Sequence, residues 1–380
     1  MQPKRVIFTG DFLRPSWDGK FPTQHSNIQW CHDLFKQQIL SACGLDVEMI
    51  SWNHGSVVAG RLDGAEIRRI YATLGLEPRI PNWAVIYEQR NLPEILESYF
   101  VSLFRDSLVI AFELPPYIEG VLQKHNIPFV DIIIHPVRFL DDVIVAIRTS
   151  DKKASQLLSK HAINENFMKV MAGIQTAAAR RYFDFVPERS SALLLLQTPF
   201  DRTLIRDGGF VGPKDYTGAF AELSREFSTV YVKPHPLDVS SGQLSAVMNE
   251  LGNAALIHEN VYSLFASDNI EAVITLSSST GIEAPYFRKE ARFLFKAPNE
   301  FAVDGACPLE DQFVGVFDAM LSTDFWRDIL SPIVPTTQLD GVAIPFKANR
   351  LRTSMRSFWN FNEIDTDVAV GLKTEKSCLS

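Results

Sequence analysis

The sequence predicts an α/β protein with two parallel sheets. Short apolar segments rich in β-branched residues alternate along the chain with amphipathic stretches, which is the pattern of parallel strands covered by helices. The 380 residues are too many for one hydrophobic core, so two domains of roughly 150 to 200 residues are expected. A hydrophobic content of 46% with 22% charged residues is ordinary for such a chain.

Nine predicted strands fall into two groups, and each group indicates one sheet. The first group comprises residues 5–9, 47–52, 107–112 and 129–134. The second comprises residues 192–197, 229–233, 254–258, 272–276 and 291–295. Two groups of this kind predict two Rossmann-like domains.

A helical stretch separates the two groups and sets the expected domain boundaries. Residues 151–181 include MKVMAGIQTAAARRY, which predicts a long connecting helix, with VPERSS (186–191) as the hinge. We expect an N-terminal domain over residues 1–185 and a C-terminal domain over 186–330, closed by a helix in FVGVFDAMLSTDFWRDIL (313–330). Residues 331–380 are expected to pack back on the first domain and to end in a frayed polar tail.

Charge and cysteine content exclude several classes of protein. A formal net charge of −8 argues against a nucleic-acid partner. Cys31, Cys43, Cys307 and Cys378 lack CxxC spacing, so neither a metal cluster nor a disulfide framework is expected. The start MQPKRVIFTGDF has no signal region, and no apolar run approaches the ~20 residues of a spanning helix. We expect a cytoplasmic protein, which is compatible with peripheral association at the inner membrane.

Two segments at strand ends predict a phosphate site. The strand in VYVKPHPLDVSSG (230–242) ends at the prolines, which places Lys233 and His235 at its carboxyl end, where ligands bind in open α/β sheets. The segment ITLSSSTGIEAPYF (274–287) predicts a strand followed by a helix from Ile282. Its turn offers free backbone N–H groups at Ser277, Ser278, Ser279, Thr280 and Gly281. Alternatively, the turn is only a helix cap and the histidine an ordered loop residue.

Other nucleotide-binding and metal-binding signals are missing. No GxxxxGK[ST] and no GxGxxG following a strand occurs in the chain. The DTD motif at Asp365–Asp367 lies in a polar C-terminal stretch, where a solvated turn is the simpler interpretation. We therefore expect no metal and no cofactor.

Two carboxylates follow apolar strands and are candidates for bond-making. Asp201 comes shortly after the strand that delivers Gln197, and Glu113 directly follows the predicted strand of residues 107–112. Such a carboxylate can act as a nucleophile or base, although an Asx turn or helix cap is equally compatible. The two could meet across a cleft between the domains.

The ordered motifs resemble those of the bacterial β-Kdo transferases of capsule and O-antigen assembly. They are Gln197-Thr198-x-x-Asp201, Lys233-Pro234-His235-Pro236 and Ser278-x-x-Gly281-x-Glu283-Ala284. FELPP (112–116) and IIIHPVRFLDD (132–142) are similar to N-terminal motifs of that family, and the likeness covers about residues 10–295. Bacterial sialyltransferases share the HP and serine motifs, and QTxxD favours the Kdo family. Leu196 and Phe200 depart from the pattern, which often has an acidic residue and a glycine there.

The resemblance implies a GT-B-like fold and a retaining transfer of Kdo from CMP-β-Kdo to a bacterial glycan or glycolipid. It implies that Asp201 is the nucleophile, that Glu113 is the acid/base, and that His235 stabilises the leaving phosphate together with Ser278. The other positions expected to contact the donor are Gln197, Lys233, Pro236, Ser277, Ser279, Thr280, Gly281, Glu283 and Arg138. The alternatives are a sialyltransferase using CMP-sialic acid and a non-catalytic relative that binds glycans or nucleotides.

Two further sets of residues are weaker candidates. The donor carboxylate requires a cation, for which Arg138 and Arg202 are available, although a surface ion pair is the simpler interpretation of each. The polar and aromatic stretch of residues 10–30 is expected to form a loop that faces the acceptor in a GT-B arrangement. An ordinary surface loop with a packed tryptophan is equally compatible. The residues expected to line a sugar site there are Asp11, Gln24, Asn27 and Trp30.

Overall fold

A computed structural model of the protein describes residues 2–15, 23–52, 62–235, 242–302, 306–309 and 311–355. Pro236, Asp365–Asp367 and Cys378 lie outside the described residues. Within them the strands are β1 (Arg5–Gly10), β2 (Asp46–Met49), β3 (Ser107–Phe112), β4 (Phe129–Ile134), β5 (Val145–Thr149), β6 (Ser191–Leu195), β7 (Ile205–Arg206), β8 (Gly209–Phe210), β9 (Thr229–Lys233), β10 (Ala254–Leu256), β11 (Ile270–Thr275), β12 (Glu290–Phe293) and β13 (Val314–Val316).

The helices lie between these strands, as the α/β pattern requires. They are α1 (Thr23–Cys43), α2 (Gly64–Thr73), α3 (Ile80–Tyr87), α4 (Glu94–Phe104), α5 (Pro116–Lys124), α6 (Lys152–Leu158), α7 (Glu165–Tyr182), α8 (Thr217–Glu226), α9 (Gln243–Glu250), α10 (Val261–Phe265), α11 (Thr280–Glu283), α12 (Thr323–Leu330) and α13 (Arg350–Met355). Short 3-10 turns, including Arg202–Leu204 and Ala284–Phe287, link several of them.

The first sheet has six strands in the order β13-β5-β4-β3-β1-β2. Strands β4, β3, β1 and β2 are parallel, whereas β5 is antiparallel to both β4 and β13. One face is covered by α1 and α12, and the other by α2, α4 and α5. Strands β3 and β4 are fully buried, which explains why their sequences, SLVIAF and FVDIII, are almost entirely apolar.

The second sheet has five parallel strands in the order β10-β9-β6-β11-β12. Helices α7 and α10 cover one face, and α8 and α9 cover the other. Two Rossmann-like sheets, each covered on both faces, confirm the predicted α/β, GT-B-like class.

The predicted domain boundaries differ from the observed packing at both ends of the second domain. Helix α7 packs through Met168, Met171 and Ala172 into the core of the second sheet. The expected long helix is interrupted before Asn164, whose side chain caps α7 by accepting bonds from the N–H groups of Asn166 and Phe167. The core of the second domain therefore begins earlier than residue 186.

The helix expected over residues 313–330 is wrong in its first part. Residues Val314–Val316 form β13, which pairs with β5 of the first sheet, and α12 packs against α1. The chain therefore returns to the first domain near residue 314 rather than residue 331. The following residues remain there, since Thr337 donates a backbone hydrogen bond to Ala42 at 2.8 Å.

The loop after β4 of the first domain inserts into the core of the second domain. Phe139 in the loop after β4 is 2% exposed, and its ring centroid lies 5.1 Å from that of Phe287 and 6.1 Å from that of Tyr262. The two domains therefore share an aromatic cluster.

None of the helices in the described ranges combines the length and apolar character that crossing a bilayer requires.

We expect Phe139→Ala to destabilise the protein by about 3–5 kcal/mol, because it opens a cavity inside this shared cluster. Urea-induced unfolding followed by fluorescence measures the effect. Phe185→Ala is the control, since Phe185 is 42% exposed and makes one edge-on contact with Tyr231, worth about 1 kcal/mol. Equal losses in the two variants would show that the shared cluster does not stabilise the fold.

Candidate active site

The edges of both sheets where ligands are expected carry the predicted site residues. In the first sheet the chain moves from β1 outward to β2 and then back to β3 on the other side; in the second it moves from β6 to β9 and then back to β11. The crevice beside such a reversal is the usual ligand site of open α/β sheets. Glu113 follows β3, Gln197 follows β6 and Ser277 follows β11.

The predicted phosphate-binding segments lie on strands that flank β6. Leu195 at the end of β6 is level with Lys233 of β9 and with Thr275 of β11. With strands about 4.8 Å apart, the Cα atoms of Lys233 and Thr275 are about 10 Å apart. The two segments therefore open onto one edge of the second sheet.

Gln197 hydrogen-bonds two segments at the carboxyl edge of the second sheet. It is 6% exposed, and its Oε1 accepts a hydrogen bond from the N–H of Ser277 at 2.7 Å. Its Nε2 donates to Oγ1 of Thr203 at 3.4 Å. The side-chain amide of Gln197 thus contacts both residues 277–281, here called the serine turn, and the turn that begins at Asp201. The contacts of Gln197 therefore position these two segments relative to each other.

Asp201 begins the turn that follows β6. Its Oδ1 accepts hydrogen bonds from the N–H and the Oγ1 of Thr203, both at 2.8 Å. The alternative interpretation as a cap is therefore correct for this oxygen. Among the described residues no hydrogen bond to Oδ2 occurs, so the carboxylate is oriented by one oxygen while the other remains available for chemistry.

Glu113 adopts a backbone conformation that is unusual for its residue type. Its φ is +55°, in the left-handed region that favours glycine. The strand end is fixed around it, since its N–H donates to Ile132 O at 2.9 Å and the N–H of Leu114 donates to the buried Asp131 at 2.9 Å. Arg148 donates to Asp131 in turn at 2.9 Å. Strained residues held in this way concentrate at functional sites.

An ion pair between the domains brings Glu113 to the Asp201 segment. Arg202 Nε lies 3.2 Å from Glu113 Oε2, and the two side chains are 20% and 13% exposed. Gln24 of α1 also donates to Glu113 Oε2 at 3.2 Å. The predicted meeting of the two carboxylate segments is therefore mediated by Arg202, the residue next to Asp201.

Tyr87 of α3 completes the surroundings of Arg202. Burial lowers the pKa of Arg202, but the charges of Glu113, Tyr87 and Asp201 outweigh it and raise the pKa above its ordinary value. Burial raises the pKa of Tyr87 to about 12, although Arg202 opposes the shift. Arg202 is therefore a cation at neutral pH, and the interpretation as a surface ion pair is wrong for it.

A hairpin of the second domain docks on the first and carries Arg202 with it. Ile205 and Phe210, on β7 and β8, pack against Trp83 and Tyr87 of α3. The N–H of Gly208 donates to Glu88 at 2.9 Å. Arg14 donates to Phe200 O at 3.2 Å. Neither Thr203 nor Tyr87 was among the predicted site residues; the D-x-T spacing is a signal for Thr203, whereas the contact of Tyr87 depends on tertiary packing.

The serine turn differs in detail from the prediction. Helix α11 begins at Thr280 rather than Ile282 and has four residues before it tightens into a 3-10 turn. Ser278, Ser279 and Thr280 are partly exposed, whereas Ser277 is buried. A Cβ on Gly281 would lie 2.7 Å from the Phe293 ring, so close packing accounts for this glycine.

Glu283 and Arg138 lie in the domain interface. Glu283 is 1% exposed, and its Oε1 accepts hydrogen bonds from the N–H of Arg138 at 2.7 Å and from Tyr262 Oη at 2.8 Å. Arg138 is 5% exposed, so the surface interpretation is wrong for it as well. Burial lowers its pKa to about 10, against the charge of Glu283. The contacts of Glu283 anchor the loop after β4.

The KPHP segment is described as far as His235. Lys233 is half-buried and donates through Nζ to His258 O at 3.4 Å. Burial lowers the pKa of Lys233, while the charge of Glu259 opposes the shift. His235 is partly exposed at the same edge as Lys233, and Pro236 lies outside the described residues.

The expected acceptor loop is partly helical. Residues 23–30 belong to α1, and two of the predicted sugar-site residues, Asp11 and Trp30, form hydrogen bonds elsewhere. Asp11 is buried and accepts hydrogen bonds from Tyr117 at 2.9 Å and Trp83 at 2.8 Å. Trp30 donates to Ser354 at 2.8 Å, and Asn27 is 7% exposed. Of the four, Gln24 alone contacts a predicted catalytic residue.

Among the residues that the structure describes, no group of three or more histidine, cysteine, aspartate or glutamate side chains is placed to hold a metal ion. No family model matches the chain, and no curated protein matches it. Several solved structures are similar to the chain.

The chain is similar to two transferases of KpsC from Thermosulfurimonas dismutans. The β-Kdo 2,7 transferase has 11% identity, a TM-score of 0.36, and coverage of 75% of this chain and 77% of that chain. The β-Kdo 2,4 transferase has 17% identity, a TM-score of 0.31, and coverage of 50% and 70%. A dipicolinate synthase chain from Bacillus halodurans has 12% identity, a TM-score of 0.17, and coverage of 74% and 79%.

Glu283→Gln tests the pH dependence that burial of this carboxyl group predicts. Burial raises the pKa of Glu283 from 4.5 to about 7 in the folded protein. The protonated carboxyl therefore stabilises the fold fully below pH 4.5, and this contribution is lost as the pH rises through 7. We expect the unfolding free energy of the wild type to fall relative to the variant by about 3 kcal/mol across this range, measured by urea titration. Exposed Glu94 supplies the control Glu94→Gln, and parallel pH profiles for all three proteins would contradict the assignment.

Proposed function

We propose that the protein is a retaining glycosyltransferase that moves Kdo from CMP-β-Kdo to a bacterial surface glycan by double displacement. One observation carries the proposal: Arg202, the residue directly after Asp201, pairs with Glu113 across the domain interface at 3.2 Å. Retention by double displacement needs two groups, one to attack the anomeric carbon and one to deprotonate the acceptor.

The edge of the second sheet suits the phosphate of CMP. Lys233, His235 and the partly exposed Ser278–Thr280 turn lie at the ends of strands flanking β6. An ammonium group, an imidazole and hydroxyl or N–H donors can stabilise the charge that develops on a leaving phosphate. In this proposal CMP binds without a metal ion.

Asp201 is the proposed nucleophile. Thr203 fixes Oδ1, so Oδ2 can attack the anomeric carbon of the donor. A bond from this oxygen to the carbon forms while the bond from carbon to phosphate oxygen breaks, and CMP leaves with the electron pair. The acceptor hydroxyl then attacks the same carbon from the opposite side, Glu113 takes its proton, and the aspartyl ester bond breaks to regenerate Asp201.

Arg202 is the proposed partner of the donor carboxylate. In Kdo, as in sialic acid, the carboxylate is attached to the anomeric carbon, and Arg202 directly follows the residue that would attack that carbon. Contact with the donor would also draw Arg202 away from Glu113 and leave Glu113 for the acceptor hydroxyl. Arg138 is enclosed by the domain interface, and for this reason we favour Arg202.

Incubation with CMP-Kdo or CMP-sialic acid, followed by CMP release, separates the proposed donor from its alternative. Turnover of CMP-Kdo alone supports the proposal. Turnover of CMP-sialic acid alone identifies a sialyltransferase, and binding of CMP without turnover of either donor identifies a non-catalytic protein.

We expect His235→Ala to weaken CMP binding by about 1–3 kcal/mol, the usual cost of losing a hydrogen bond to a charged group. Isothermal titration calorimetry measures the affinity. EDTA should leave it unchanged, since the proposed contacts involve no metal. His125→Ala is the control because His125 lies on the surface of the first domain and pairs with Glu97. Unchanged CMP affinity in the His235 variant would reject the site.

Asp201→Asn should abolish transfer and leave CMP affinity nearly unchanged, because the amide oxygen still accepts from Thr203 but the group cannot form the ester. Activity assays and calorimetry provide the two readouts. Wild type incubated with donor alone should carry a Kdo adduct on Asp201, detectable by intact mass and peptide mapping.

The matched control is Asp215→Asn, which alters a carboxylate that caps Gly212 on the surface. Near wild-type transfer by the Asp201 variant would exclude Asp201 as nucleophile. An inverted product would exclude double displacement even if Asp201 proved essential. Loss of CMP binding together with transfer would indicate a structural role.

A further inference from the structure

A cavity of about 280 Å³ lies between the two domains. The first domain contributes His135, which directly follows β4, together with Ser159 and Gly315. Glu165 at the start of α7 and Tyr286 in the turn after α11 line the opposite side. The volume is near the lower end of the ~300–1,000 Å³ typical of small-ligand pockets.

His135 presents a hydrogen-bond donor to this cavity. Its side chain is 5% exposed, and Nδ1 accepts a hydrogen bond from the N–H of Val137 at 3.1 Å. The ring proton is therefore assigned to Nε2, which has no hydrogen-bond partner among the described residues. Burial, and then the charge of Arg138, lower the pKa of His135 to about 3. The donor is consequently the N–H of an uncharged imidazole, from which a ligand oxygen in the cavity can accept a hydrogen bond.

The rest of the lining combines aromatic surface with polar groups that suit hydroxyls. The Phe301 ring lies 4.8 Å from the His135 ring between centroids. Tyr286 Oη has no hydrogen bond within the described ranges, and burial raises its pKa to about 12. Ser159 and Glu165 are the other polar residues among the described lining residues, and Glu165 pairs with Lys169 at 3.1 Å. Neither lysine nor arginine occurs among the described lining residues, so the cavity does not select phosphate or carboxylate.

Glycine at position 315 is needed for this arrangement. A Cβ there would lie 3.0 Å from Nε2 and Cδ2 of His135. The imidazole thus rests directly on the backbone of β13, with Phe301 beside it, and the donor atom is held in one orientation.

We infer that this cavity binds an uncharged sugar unit of the acceptor glycan. This assignment rests on the proposed function, in which Glu113 deprotonates the acceptor. Strands β3 and β4 are neighbours, and Glu113 and His135 directly follow them, so a glycan in the cavity lies at the same edge of the sheet as the proposed base. Aromatic surface packs against the apolar face of a pyranose, and the ring hydroxyls meet donors and acceptors.

Saturation-transfer NMR with methyl β-D-glucopyranoside and methyl β-D-galactopyranoside at millimolar concentration, recorded with saturating CMP, tests the assignment. We expect at least one glycoside to bind the wild type. Ala302→Leu should abolish that binding by filling the cavity, since Ala302 is a lining residue. Tyr286→Phe, which keeps the ring, should weaken it about two- to tenfold. Ala177→Leu, on the exposed face of α7, should have no effect.

Absence of glycoside binding to the wild type, or binding that Ala302→Leu does not change, would overturn the assignment. CMP binding, measured in the same samples, reports separately on the proposed function. If the glycosides bind in the cavity and CMP does not bind, the sugar site stands and the transferase proposal fails.

Discussion

The ion pair between Arg202 and Glu113 is the contact on which the candidate site depends. It joins the second domain to the carboxyl edge of the first sheet, and a pair this well buried is stabilising only if both charges have additional partners. Gln24 supplies one for Glu113 and Tyr87 one for Arg202. The pair therefore requires α1, α3 and the hairpin formed by β7 and β8 to be in place together.

Close packing at the strand ends supports that contact. A Cβ on Gly10 would lie 2.6 Å from Phe112 O, so β1 and β3 can approach each other at their carboxyl ends only because residue 10 is glycine. The corresponding edge of the second sheet relies on Gln197, whose amide holds both the serine turn and Thr203. Each edge is thus fixed by contacts within the protein itself, which is a requirement for preorganised chemistry.

The sequence predicted the bounds of a strand correctly where a local signal, such as a proline, marks the end of that strand. Strands β3, β4 and β9 have the predicted bounds, and for β9 the reason is the proline directly after Lys233. Strand β13 was missed because three residues of VGV in a stretch of helical periodicity carry no signal of their own. Its partner β5 had no predicted counterpart either, and both strands are specified by tertiary pairing rather than local preference.

The candidate site was predictable to the extent that its residues follow strands. Asp201, Glu113 and Gln197 could be found in this way because carboxyl ends of parallel strands share an edge. Glu283 was predicted to contact the donor, whereas its side chain points into the domain interface, a direction that a motif position does not specify. Tyr87 and Trp83 reach the site from a helix more than a hundred residues earlier in the sequence than Arg202, so only the folded chain brings them together.

The backbone at Glu113 has a consequence for how this position can evolve. A left-handed conformation costs an ordinary side chain about 1–2 kcal/mol relative to glycine, and the hydrogen bonds around Leu114 and Asp131 hold it there. Selection for stability alone would replace Glu113 with glycine or asparagine. The glutamate at this point is thus a stability deficit that the chain retains.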